Sequence, residues 1–96
     1  MSLDITMREI SNGALTGTGG LTLTQGFLIG GILVNADGTN AATVTIQEVN
    51  SAGKTLFSYT SKQPQFIRGP FRSNSQTLYY SVSGTNASLE VFEAQV

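Results

Sequence analysis

The side chains able to carry chemistry are few, and their spacing supports none of the common reactions. Six carboxylates (Asp4, Glu9, Asp37, Glu48, Glu90 and Glu93) stand against five cations (Arg8, Lys54, Lys62, Arg68 and Arg72). Histidine and cysteine are absent, so neither a Ser-His-Asp nor a Cys-His nucleophile can be assembled. A Ser-Lys variant would draw on Lys54 or Lys62, and no motif surrounds either. A zinc site lacks its usual thiolate and imidazole ligands. A glycosidase needs a paired acid and base. Five of the carboxylates occupy turn or strand positions that read as facing solvent, and Glu48, which breaks the alternation after Ile46, reads as the mark of a β-bulge. Gly17-Thr18-Gly19-Gly20 departs from the G-x-G-x-x-G phosphate pattern, and no helical segment follows it. The stretch around Asp37-Gly38 offers one carboxylate where strong calcium sites use several, and reads as a hairpin turn. The expectation is a chain with no catalytic residue, no metal and no cofactor.

Charge excludes further classes. The net charge of −1 provides no field for nucleic acid or an anionic membrane. The tyrosines Tyr59, Tyr79 and Tyr80 have no basic surround of the kind that single strands require. The most apolar stretch, residues 26–36, falls far short of the roughly 20 residues that span a bilayer, and Met1-Ser2-Leu3-Asp4 has no basic region leading into an apolar run. Only 11% of residues are charged, against about 25% in ordinary domains. Serine, threonine, asparagine and glutamine supply 34 residues. Such a surface suits a protein partly covered by neighbours better than a solitary monomer.

The elements that position these residues are strands. Leu3, Ile5 and Met7 alternate with Asp4, Thr6 and Arg8; similar runs cover Leu21 and Leu23, Val44 and Ile46, Leu78 to Val82, and Leu89 to Val91. Threonine and other β-branched residues fill them, as half-buried strands prefer. Phe27 to Val34 does not alternate, and reads as a strand bent or bulged at Gly30-Gly31. Turn signals fall at Ser11-Asn12-Gly13, Gly17 to Gly20, Asp37-Gly38, Asn50 to Gly53 and Ser83 to Asn86, with Asp37-Gly38 and Gly84-Thr85-Asn86 the best hairpin candidates. The reading is all-β: residues 1–96 form one small β-sandwich or jelly roll of seven to eight antiparallel strands, with a closed barrel as the alternative. Residues 1–20 read as an N-terminal arm strand followed by a glycine-rich linker. Val44, Ile46, Leu78, Tyr80, Val82, Leu89 and Val91 are the expected core.

Residues 61–76 lack clear periodicity. They hold Pro64 and Pro70 together with Lys62, Arg68 and Arg72, and the apolar Phe66, Ile67 and Phe71. Two readings compete: a functional loop, or a short edge strand bracketed by prolines. On the first, Phe66, Arg68, Phe71 and Arg72 are the partner-binding residues, because aromatics and arginine dominate interface energetics.

The second half carries a family likeness. Ala42-Thr43-Val44-Thr45-Ile46, then Ser51 to Leu56, then Tyr79-Tyr80-Ser81-Val82-Ser83-Gly84-Thr85-Asn86 leading into Leu89-Glu90-Val91, resembles small β-sandwich virion structural proteins of tailed phages. The likeness covers about residues 27 to 93 and rests on strands and turns, not on ligands. It implies a non-enzymatic capsid decoration, or cement, protein: made in the host cytoplasm, located on the virion's capsid surface, acting as a homo-oligomer, a trimer, and bound to the major capsid protein. A tail or head-fibre adaptor, or a carbohydrate-binding sandwich, is the alternative.

Overall fold

The computed structural model describes residues 7–94. The alternating runs become eight strands: β1 (Met7–Glu9), β2 (Thr18–Thr22), β3 (Leu28–Asn35), β4 (Ala42–Glu48), β5 (Thr55–Ser61), β6 (Gln65–Arg72), β7 (Thr77–Ser83) and β8 (Ser88–Ala94). They form two four-stranded sheets, A in the order β1-β8-β3-β6 and B in the order β2-β7-β4-β5. Every pairing is antiparallel.

The order has a simple logic. β1 lies beside β8, β2 beside β7, β3 beside β6 and β4 beside β5, so the chain behaves as one long hairpin. Rolling that ribbon up brings β3 against β8 and β4 against β7, which is the jelly-roll form of the sandwich. Each sheet keeps its own edge strands, so the barrel alternative does not apply. The Cα radius of gyration is 12.8 Å, close to the ~12.5 Å expected for one domain of this length.

Two turn assignments need correction. Asp37-Gly38 and Gly84-Thr85-Asn86 do turn the chain, with positive φ at Gly38, Gly84 and Asn86. Neither makes a hairpin: each carries the chain from one sheet to the other. Among the described residues the one hairpin joins β4 to β5 through residues 49–54. There Gly53 is required by space, since a Cβ would strike the Glu48 carbonyl. The glycine-rich stretch expected as a linker enters the sheet instead, with Thr18-Gly19-Gly20 opening β2 against β7. Of the expected arm, Leu3 to Thr6 lie outside the described residues, and Met7 opens β1 against the chain's own β8. Residues 61–76 are mainly strand β6, an edge of sheet A, so the edge-strand reading holds; Pro64 precedes the strand and Pro70 lies inside it.

The core lies between the sheets. Ile29, Ile32, Val34, Leu89 and Val91 of sheet A meet Leu21, Val44, Ile46, Leu78 and Tyr80 of sheet B. Six of the seven expected core residues are buried; Val82 is half-buried and packs against the cluster. The bulge expected at Glu48 lies on the partner strand instead: the β4–β5 register shifts between Ile46 and Gln47 by skipping Leu56 of β5, while β4 pairs with β7 without a break through Glu48.

Glu93 departs from expectation. It was expected to face solvent, yet it is 1% exposed. Leu89, Val91 and Glu93 share one phase of β8, and that phase points inward. The carboxylate is accommodated because the β2–β3 connection wraps it. The Thr24 amide donates to Oε1 at 2.8 Å and the Gln25 amide at 3.1 Å, while the Thr24 hydroxyl donates to Oε2. Burial pushes its pKa up, but these hydrogen bonds, aided by Arg8, outweigh burial and hold it below the ordinary value of 4.5. A depressed carboxylate stabilises the fold above that ordinary value, and the contribution disappears as pH falls through the lower folded value. Glu93→Gln is therefore expected to unfold at lower urea concentration at pH 7. Its urea midpoint should also fall less than the parent's between pH 5 and pH 3, so that the two curves converge in acid. Parallel curves would show that Glu93 carries none of the acid sensitivity.

Candidate functional site

Alternation assigns each strand residue to the core or to an outer face. In β6, Ile67 and Phe71 point inward while Phe66, Arg68, Pro70 and Arg72 point outward. The four expected partner-binding residues are thus divided. Phe71 packs its ring edge-on against Phe57 at 5.2 Å between centroids, and belongs with the core. Phe66, 45% exposed, Arg68 and Arg72 lie on the outer face of sheet A.

That face is built around Gly31. Register joins Glu9 of β1 to Phe92 of β8, Phe92 to Gly31 of β3, and Gly31 to Arg68 of β6, so the four form one row across the sheet. The next row is Glu90, Leu33 and Phe66. Phe66 leans over the glycine, where a Cβ would strike its ring, and meets Phe92 edge-on at 6.0 Å. Met7 closes over the same hollow. The result is an apolar strip of Met7, Phe92, Leu33 and Phe66. Acids Glu9 and Glu90 stand on the β1–β8 side, and Arg68 and Arg72 on the β6 edge. Glu9 is exposed and accepts from the Gly13 amide at 2.7 Å and the Ser11 hydroxyl at 2.9 Å, which lower its pKa.

The outer face of sheet B differs in kind. Its rows read Ser83-Thr43-Thr60, then Thr18-Ser81-Thr45-Ser58, then Gly20-Tyr79-Gln47-Thr55. Hydroxyls meet across strands, Thr43 with Thr60 at 3.0 Å and Thr45 with Ser58 at 3.5 Å. The one ionised group in the strands of sheet B is Glu48, and it turns to the β6–β7 connection, accepting from the Asn74 amide and the Ser73 hydroxyl. The low charge of the sequence is thus concentrated as a neutral hydroxyl face.

Two hollows remain. A polar cleft of about 380 Å³ is lined by Arg8, Glu9, Ile10, Asn12, Thr22 and Thr24 on the side where β1 and β2 leave the sheets open. A smaller one of about 200 Å³ collects Phe27, Leu28 and Arg72 beside Ala94. No three His, Cys, Asp or Glu side chains gather into a metal-binding group among the described residues. No protein-family model, curated protein or solved structure matches the chain.

Sequence reasoning named the outward side of β6 but missed Phe92, Leu33 and Glu9. The signal was present for Phe92: if Leu89 and Val91 point inward, Phe92 must point out. The division of β6 has a measurable consequence. Phe71→Ala is expected to lower the unfolding free energy by about 2 kcal/mol, less than the ~3–5 kcal/mol of a fully buried phenylalanine. Phe66→Ala should cost about 1 kcal/mol or less, as surface substitutions do. Equal losses in a urea titration would contradict the inside–outside assignment.

Proposed function

We propose that this chain is a non-enzymatic virion structural protein of a tailed phage, a capsid decoration protein that binds the outer surface of the head as a homo-oligomer. The observation that carries the reading is the outer face of sheet B. A sheet face of this width without an ionised side chain costs little to desolvate against another protein, because no charge must be stripped of water. Its serine, threonine and glutamine groups can exchange water for partner hydrogen bonds. The jelly roll supports the same reading, since that architecture recurs in viral capsid domains, although architecture alone does not assign function. The family likeness of residues 27–93 supplies the phage context, the major capsid protein as partner and the trimer as the assembled form. A homo-oligomer on a symmetric lattice binds tightly through individually weak contacts.

Tyr79 favours a second reading. It is the one aromatic among the hydroxyls of that face, and an aromatic beside hydroxyl donors is also what a glycan would meet. Co-sedimentation separates the two. The purified chain is expected to sediment with phage heads lacking their decoration, with binding little changed between 50 mM and 500 mM salt because the contact is uncharged. Thr45→Arg, at the centre of the face, should reduce it at least tenfold without unfolding the domain. Binding to tails or to glycan-coated beads, with none to heads, would transfer the function to an adaptor or a carbohydrate-binding module.

A further inference from the structure

The outer face of sheet A has a different character, and its charge pattern specifies an occupant. One cross-strand row runs Glu9, Phe92, Gly31, Arg68 from edge to edge. The acid lies on edge strand β1 and the base on the opposite edge strand β6. Between them are the aromatic pair Phe66–Phe92 and Leu33. Rotation by 180° about an axis in the plane of the face, parallel to the strands, exchanges left and right while keeping each row at its own level. A second copy so placed sets its β6 over the first copy's β1. Arg68 of each copy then lies over Glu9 of the other, and the two apolar strips meet at the centre. The face is complementary to itself.

We infer that sheet A is the contact between two copies of this chain, stacked face to face across a two-fold axis with reciprocal Glu9–Arg68 pairs. Size sets its strength. Three strands of seven or eight residues and the three-residue β1, about 4.8 Å apart, give a face of at most roughly 19 by 25 Å. That lies at the lower end of what a specific pair buries, so the contact is weak and concentration-dependent. Aligned stacking of sheets is a standard packing mode. The charges fix orientation, because any stacking that sets Arg68 over Arg68 opposes like charges. The inference does not rest on the capsid reading: it concerns the free chain and the opposite face. In a trimer the same two-fold would join two trimers through their sheet A faces.

The absence of cysteine makes the test clean. Glu9 and Arg68 stand three strand spacings apart, roughly 14 Å, too far for a disulfide within one chain. In the double variant Glu9→Cys/Arg68→Cys, a short bis-maleimide, which reaches across the roughly 10 Å between stacked sheets where a disulfide does not, is expected to give covalent dimers held by two cross-links, and neither single variant should reach that species. A ladder of covalent trimers and larger products would mean a head-to-tail contact and overturn the two-fold. No cross-linking would overturn the contact altogether. A second measurement guards against folding artefacts. In sedimentation equilibrium of the free chain, Arg68→Glu should weaken association at least tenfold while leaving the urea midpoint unchanged. Combining it with Glu9→Arg should recover the parent's association to within about threefold. If the double reversal stays as weak as the single one, Glu9 and Arg68 do not meet and the proposal fails.

Discussion

Two glycines in the middle of β3 set both surfaces of sheet A. Between Ile29 and Ile32 a regular strand would place one residue, and this strand places two, Gly30 and Gly31. The register against both neighbours, β6 and β8, shifts at this point. The shift restores phase, so that Ile29, Ile32 and Val34 all reach the core. It also leaves an outward position with no side chain, at the centre of the sheet and flanked on both sides. Phe66, Met7 and Phe92 converge there because nothing else can fill the space. Any larger residue at Gly31 would displace the Phe66 ring, and at Gly30 it would press on Met7 and the Ala94 backbone. The core and the candidate contact surface therefore depend on the same irregularity.

The carboxylates hold the ends of the roll. Glu93 binds the β2–β3 connection, and Glu48 binds the β6–β7 connection at the same end. At the opposite end Asp37 accepts from the Asn40 amide at 2.7 Å and the Asn40 side chain at 2.8 Å, then from the Thr39 amide and the side chain of Asn86, and these donors hold its pKa far below the carboxylate range. Its bond to Asn86 ties the β3–β4 crossover to the β7–β8 crossover. A jelly roll needs such ties because its neighbours in space are distant in sequence, and turn chemistry alone cannot hold two crossovers together. Asp37, Glu48 and Glu93 are thereby committed to holding the connections between strands.

Strand phase was legible in the sequence and sheet membership was not. Val44, Ile46, Leu78 and Leu89 were placed by alternation alone, because a period of two admits one inward set. The glycine pair announced its bulge by breaking that period. Asp37-Gly38 and Gly84-Thr85-Asn86 misled because glycine and asparagine report a positive φ, which both a hairpin and a crossover use. Whether the chain returns in the same sheet is decided by pairings distant in sequence, β3 with β8 and β4 with β7, which no local turn signal reports. Glu93 was misassigned by residue type against phase: charge suggested solvent, while the alternation of Leu89 and Val91 already pointed it inward. Phe71 was grouped with Phe66 because prolines hid the period of β6. Once β6 is a strand, the odd spacing between the two phenylalanines places them on opposite sides.

The contrast between the two outer faces constrains any assembly the chain enters. Opposite faces of a sandwich point in opposite directions. A copy seated on a surface through the neutral hydroxyl face of sheet B therefore presents sheet A, with its aromatics and ordered charges, away from that surface. Sheet A is complementary to itself under a two-fold axis lying in its plane, so what it accepts is a second copy whose own sheet B faces outward again. Three-fold assembly around a lattice position and two-fold stacking through sheet A are compatible, since an in-plane two-fold perpendicular to a three-fold generates a closed dihedral arrangement. Such a unit ends in the same uncharged hydroxyl surface on both sides. Salt then acts on the two contacts differently: the Glu9–Arg68 pairs weaken as ions screen them, while the sheet B contact has no charge to screen. Salt would therefore loosen the orientation of the stack, whose apolar centre it does not screen, while leaving the seating through sheet B unchanged.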